Sequence, residues 1–153
     1  MILSGSFSFN GPRTTVWDLL QDPVVLAKAL PGTKTLTRTS PDHYEGVMKV
    51  SVGPVTAAEF AVTVELTDKI PPEKFSMNID GKGGVGFMKG TATIELVEQP
   101  GPVTVMNYSS DVQIGGRIAG VGQRLLESVG KMMTRQALDA LNRELQSRLA
   151  SGS

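Results

Sequence analysis

Apolar and polar positions alternate at the start of the chain. Leu3, Phe7 and Phe9 fall on one side with Gly5, and Ile2, Ser4, Ser6 and Ser8 on the other, the period of two that marks a strand. Asn10-Gly11 ends the alternation. Pro12 suits the first position of a helix, where its missing N–H would go unsatisfied anyway. Val16, Trp17, Leu19 and Leu20 then recur at helical spacing. Asp22-Pro23 repeats the start signal with Asp22 as N-cap, and Val24, Val25, Leu26, Ala29 and Leu30 form a second short helix that Pro31-Gly32 stops.

The period then returns to two. A threonine-rich stretch, Thr33 to Ser40, reads as a polar strand. Tyr44, Gly46, Met48, Val50 and Val52 alternate with Glu45, Lys49 and Ser51, and Gly53-Pro54 makes a bend or bulge. Phe60, Val62, Val64 and Leu66 form the next strand, and Pro71-Pro72 separates it from Phe75, Met77 and Ile79. Met88, Ala92, Ile94 and Leu96 follow a glycine-rich turn. Pro100-Gly101-Pro102 leads to a last strand, Val103 to Ile114, with Met106, Tyr108 and Val112 on its apolar face. Strands joined by such short turns pair antiparallel.

From Gly115 to Leu149 there is no proline. Leu125, Leu126, Val129, Met132, Met133, Ala137, Leu141 and Leu145 recur at three and four, which predicts one long amphipathic helix of about 30 residues. Glycines 115, 116, 120 and 122 loosen its first turns, each disfavouring helix by about 1 kcal/mol against alanine. The order is one strand, two short helices, six strands, one long helix. This predicts an α+β fold: a curved antiparallel sheet of about seven strands packed around the long C-terminal helix. Residues 1–149 are expected to form one domain and 150–153 a flexible end.

A curved sheet that stands away from its helix leaves an apolar cavity. Strand phase places Val50, Phe60, Val62, Phe75 and Met77 on its wall, with Met88, Ile94, Tyr108 and Val112 beyond them. Ile118, Val121, Leu125, Val129 and Met132 close it from the helical side. Tyr108 is positioned to offer one polar hydroxyl in an otherwise apolar site, a common way to orient a ligand. Methionines suit an irregular apolar ligand but are also ordinary core.

Composition narrows the chemistry. The chain has 153 residues, enough for a substantial core. It has no cysteine, which rules out disulfides, thiolate metal sites and a cysteine nucleophile. Fifteen basic and fifteen acidic residues give a formal charge of zero, which argues against bulk nucleic-acid binding. The predicted long helix carries six of the basic residues and three of the acidic ones. Arg117, Arg124 and Lys131 are spaced by seven and Arg135 follows by four. They predict a basic stripe that is either a solvated face or a contact with anionic lipid or an acidic partner.

Other motifs read as structure. Gly81 to Gly86 fits G-x-G-x-x-G, but a strand pattern follows it instead of a helix, so a hairpin is expected. His43, the only histidine, falls in a turn, and no metal site is expected. Glu45, Glu59, Glu65 and Glu95 take the exposed phase of strands. Asp80 and Asp111 are weak exceptions near the glycine-rich side. No carboxylate pair is poised for acid–base work.

Laid out this way, the chain resembles the CoxG family of carbon monoxide dehydrogenase subunits, which falls in the START-like, helix-grip (SRPBCC) superfamily. The matching stretches are Leu3-Ser4-Gly5-Ser6-Phe7, Val16 to Leu20 with Asp22-Pro23, Leu30-Pro31-Gly32, Val52-Gly53-Pro54-Val55, Gly81 to Gly90, and Gly115 to Leu126. The resemblance implies a helix-grip fold and a non-catalytic accessory role, recruiting a molybdenum carbon monoxide dehydrogenase to the inner face of the cytoplasmic membrane. Fuller family members carry a C-terminal linker and hydrophobic segment, of which 150–153 would be the beginning. With an apolar cavity, the expected ligand is a respiratory quinone such as menaquinone, with no covalently bound cofactor. A pure adaptor without ligand and a cyclase-like enzyme of the polyketide kind remain open as alternatives.

Overall fold

The computed structural model describes residues 1–152. Seven strands form one antiparallel sheet in the order β1-β7-β6-β5-β4-β3-β2. They are β1 (Ile2–Phe9), β2 (Thr33–Ser40), β3 (His43–Val52), β4 (Val55–Ile70), β5 (Lys74–Gly83), β6 (Gly86–Gln99) and β7 (Val103–Gly115). Strands β2 to β7 pair in sequence order, and β1 closes the series beside β7. The chain therefore has to cross from one edge of the sheet to the other after β1. Helices α1 (Arg13–Gln21) and α2 (Pro23–Ala29) make that crossing. The long helix α3 (Gln123–Ala150, 28 residues) is about 42 Å from end to end and packs on the inner face of the curved sheet.

The local signals act mostly where expected. Asp22 caps α2, its carboxylate accepting from the N–H of Val24 at 2.9 Å. Gly32, at φ +80°, turns the chain so closely past Lys49 that a Cβ there would collide with the Lys49 carbonyl. Trp17 anchors α1 on the sheet, its ring edge-on to Phe75 at 5.3 Å. The glycine-rich segment is a tight hairpin: Gly83 pairs with Gly86, and β6 follows directly.

Three expectations are corrected. Pro12 is the N-cap of α1, with extended backbone, and Arg13 is the first helical residue. Strand β4 runs further at both ends than its alternation suggested, because it bends instead of stopping. Ala57 and Asp68 both adopt φ +51°, and the Ala57 N–H is satisfied by Ser51 Oγ at 3.0 Å. The long helix starts only at Gln123. Residues Arg117–Val121 form a separate 3-10 helix, and Gly122 at φ +102° breaks the two apart. At the other end, Ala150 is still helical, and Ser153, part of the expected flexible end, lies outside the described residues.

The core divides into two. One part gathers Phe9, Val16, Trp17, Leu19, Leu96 and Met106 with Leu138, Leu141 and Leu145 of α3. The other lies under the first half of α3 around Val52, Ala58, Phe60, Val62, Ile118 and Leu126.

Candidate functional site

The second part of the core differs in kind from the first. Six buried apolar residues are ringed by eleven that stay partly exposed, whereas the first part has fifteen buried and nine partly exposed. Seven of the expected cavity residues meet here: Val50, Phe60, Val62, Ile118, Val121, Leu125 and Val129. The sheet supplies floor without bulk. Cross-strand register places Val62, Gly81, Met88 and Ile114 in one inner row, and Val64, Ile79, Gly90 and Val112 in the next. Opposed residues share a face, so Gly81 and Gly90 present no side chain where neighbouring positions do, although a Cβ on Gly90 would already meet Asp111 O and Val112 Cγ2 at 3.4 Å. A Cβ on Gly81 would meet only ordinary contacts, Met88 Cε at 3.7 Å and Val62 Cγ2 at 3.8 Å.

The remaining expected residues separate. Met88 and Val112 are half-buried beside those glycines. Phe75 and Ile94 are buried in the tighter part of the core, and Met77 and Tyr108 pack against it. Met132 is 52% exposed and lies outside the apolar face. The helical phase explains this correction: Leu126, Gly130, Ala137, Leu141 and Leu145 turn toward the sheet, with Gly130 against Leu3, and Met132 falls between them on the solvent side. Arg117 also departs from expectation. It sits in the 3-10 helix, so the basic stripe of α3 is Arg124, Lys131 and Arg135, all exposed.

Sequence reasoning missed Met48, Val55, Ile79, Val85 and Ile114, which line the looser part. Ile79 and Ile114 share the parity of Met77 and Val112, so alternation alone could have found them. Val85 could not be found that way, because it is a hairpin residue whose place depends on the 3-10 helix: Ile118 N–H donates to the Val85 carbonyl at 2.8 Å.

Polar groups on the inner face are mostly engaged. Thr104 donates to the Gly11 carbonyl at 2.8 Å and Ser110 to the Leu3 carbonyl at 3.0 Å. Tyr44 donates to the Gln21 carbonyl at 2.7 Å, and Arg38 bonds to the same carbonyl. The Tyr108 hydroxyl bonds to no other described residue and lies over Gly5, where a Cβ would come within 2.7 Å of it. Its hydrogen-bonding capacity is free for something else.

Depressions also mark the outer face. One, of about 690 Å³, is a polar groove that includes His43, Glu65, Asn78 and Asp111. His43 is exposed there, bridging Ser40 Oγ and Glu65 Oε2 at 2.8 Å each. A second, about 510 Å³, lies at the β5–β6 hairpin. Among the described residues no group of three or more His, Asp or Glu is placed to hold a metal ion. No helix among them is long and apolar enough to cross a membrane.

A strongly curved antiparallel sheet wrapped on one long C-terminal helix, with a helical elbow after the first strand, defines a START-like helix-grip protein. Solved structures of the same shape include a START-superfamily protein from Mycobacterium smegmatis (TM-score 0.72, 10% identity, 95% of this chain and 97% of that one). The Zhui aromatase/cyclase from a Streptomyces species is similar too (0.73, 14%, 97% and 95%). At these identities they speak to the fold alone. A conserved protein from Geobacillus kaustophilus is nearer, at TM-score 0.90 and 27% identity over 96% of both chains. The sequence profile of the CoxG family of carbon monoxide dehydrogenase subunits matches residues 5–146, and the chain belongs to that family. Among curated proteins none matches.

Proposed function

We propose that this protein is a non-catalytic accessory of a molybdenum carbon monoxide dehydrogenase and carries a lipid-soluble ligand, a respiratory quinone such as menaquinone, under the first half of α3. The observation that carries this reading is the divided core. A region walled by apolar side chains, floored by Gly81 and Gly90 and ringed by partly exposed residues can admit an apolar molecule without unfolding the rest. The chemistry fits a quinone. The wall of the looser part suits a prenyl chain. Carbon monoxide oxidation releases electrons in a water-soluble enzyme while quinone is confined to lipid. A carrier that presents quinone to the dehydrogenase at the membrane would join the two.

The test is organic extraction and native mass spectrometry of protein purified from a menaquinone-producing host, followed by titration with menaquinone. Stoichiometric quinone, or saturable binding that Gly81→Leu abolishes while the fold persists, is the expected outcome. Protein that neither retains nor binds menaquinone is an adaptor instead. Turnover of a polyketide substrate would favour the cyclase-like alternative, for which the unengaged Tyr108 hydroxyl is the one supporting feature.

A further inference from the structure

We propose that the outer face at the β5–β6 hairpin is a docking surface for anionic phospholipid headgroups. Lys82 pairs with Phe87 across the hairpin, and Phe87 pairs in turn with Gly115 of β7. The Phe87 ring lies against Gly115 so closely that a Cβ there would run into it, and the ring is still 44% exposed. Lys89 projects on the same face two residues later, and Arg117 follows Gly115 by two. Lys82, Phe87, Lys89 and Arg117 all line the depression of about 510 Å³. One carboxylate shares it: Asp80, 4.0 Å from Lys89 Nζ. Lys82 and Arg117 have no hydrogen-bond or ion-pair partner among the described residues.

Three cations to one acid, around an exposed aromatic ring, complement a phospholipid surface. An aromatic ring settles at headgroup level while lysine and arginine reach phosphates. With a formal charge of zero for the whole chain, long-range attraction is weak, so a local patch decides which end meets the surface. The patch is also joined to the candidate ligand region. Val85 of the hairpin accepts from Ile118, and both belong to the looser part of the core. Docking here brings that region to the bilayer, so this inference rests on the carrier reading for its purpose.

Vesicle flotation of the ligand-free full chain tests it, with phosphatidylcholine vesicles alone or containing phosphatidylglycerol. The protein is expected to float with the anionic vesicles and not with the neutral ones. Lys82→Glu with Arg117→Glu should weaken binding roughly tenfold or more, since each basic residue near such a surface contributes about a fivefold factor. Phe87→Ser should weaken it at both low and high salt. Lys131→Glu with Arg135→Glu on α3 should leave it unchanged, and circular dichroism confirms that each variant is folded. The proposal is overturned if the α3 pair abolishes binding and the hairpin pair does not, or if neither vesicle retains the protein. It is also overturned if glycerol phosphate alone competes fully, which would mark a site for a free anion. Vesicle binding without menaquinone binding would sink the carrier reading and leave docking intact. Menaquinone binding without vesicle binding would do the reverse.

Discussion

The two parts of the core are built from the same residue types and behave differently because of what surrounds them. Around Phe9 and Leu145, two short helices and the second half of α3 cover the sheet, and both of these side chains are fully buried. Around Phe60 and Leu126, only the first half of α3, the 3-10 helix and two hairpins close the space, and most of the apolar ring keeps some exposure. One end of the molecule can therefore hold the fold while the other stays adaptable. Local stability differs across a domain in this way when buried apolar contacts are unevenly distributed.

The largest expected effect sharpens that contrast. Leu145→Ala removes a fully buried side chain from the tight part and should cost about 2–5 kcal/mol, read from urea denaturation. Leu126→Ala should fall at or below the bottom of that range, because its partly exposed neighbours can relax or admit water. Equal losses would show that the looser part is core like any other.

A pair of glycines carries the same comparison to smaller magnitude. A Cβ on Gly11 would press on Leu145 Cδ2 at 2.9 Å and Leu149 Cδ1 at 3.1 Å, whereas on Gly81 it would meet nothing nearer than 3.7 Å. Gly11→Ala should therefore destabilise by about 1–3 kcal/mol through overpacking. Gly81→Ala should be neutral or stabilising by a few tenths of a kcal/mol, since a strand loses less chain entropy with alanine than with glycine. Thermal denaturation of the two variants separates them. A large loss from Gly81→Ala would mean that the space beside it is already filled.

Much of this was legible from spacing. Alternation located all seven strands, and Asp22-Pro23 marked its cap, because period and capping are local. The division of the core was not legible, because it depends on how far each helix extends over the sheet. Met132 shows the cost: it lies within the apolar run of α3, yet only the start of the helix relative to the sheet decides its phase. Arg117 failed similarly. Its spacing of seven to Arg124 implied a shared helix face, and a single glycine at φ +102° removed it. The glycines at 81 and 90 were visible as residues, but as bare positions in the inner rows only once the register of the strands was known.

Electrostatics at the tight end gives a pH-dependent test. Burial alone would raise the pKa of Asp22, but bonds from Arg148 and from the backbone N–H groups of Val24 and Val25 outweigh it and hold the carboxyl below its ordinary value. The stabilisation is then fully present above the unfolded carboxylate pKa, about 3.9, and is lost as pH falls through the lower folded value. Asp22→Asn keeps the helix cap, since asparagine caps as well as aspartate. The urea midpoint of wild type should exceed that of the variant at neutral pH and converge with it in the acid range. A gap that persists below the folded pKa would mean that shape, not charge, ties α2 to the end of α3.

The smallest effect belongs to the looser part. Glu59 accepts from Lys34 at 2.8 Å on the outer face, directly beside buried Phe60. That bond and the Lys34 charge lower its pKa, with a further contribution from Lys49. Here the direction of the shift matches that of Asp22 while the consequence for folding does not, because both partners stand about half exposed and water screens them. Lys34→Met should move the Glu59 titration, followed by carboxyl NMR, back up toward the ordinary carboxylate range and leave the urea midpoint where it was. A fall in that midpoint would mean that the ion pair clasps β2 to β4 and helps keep the looser part closed.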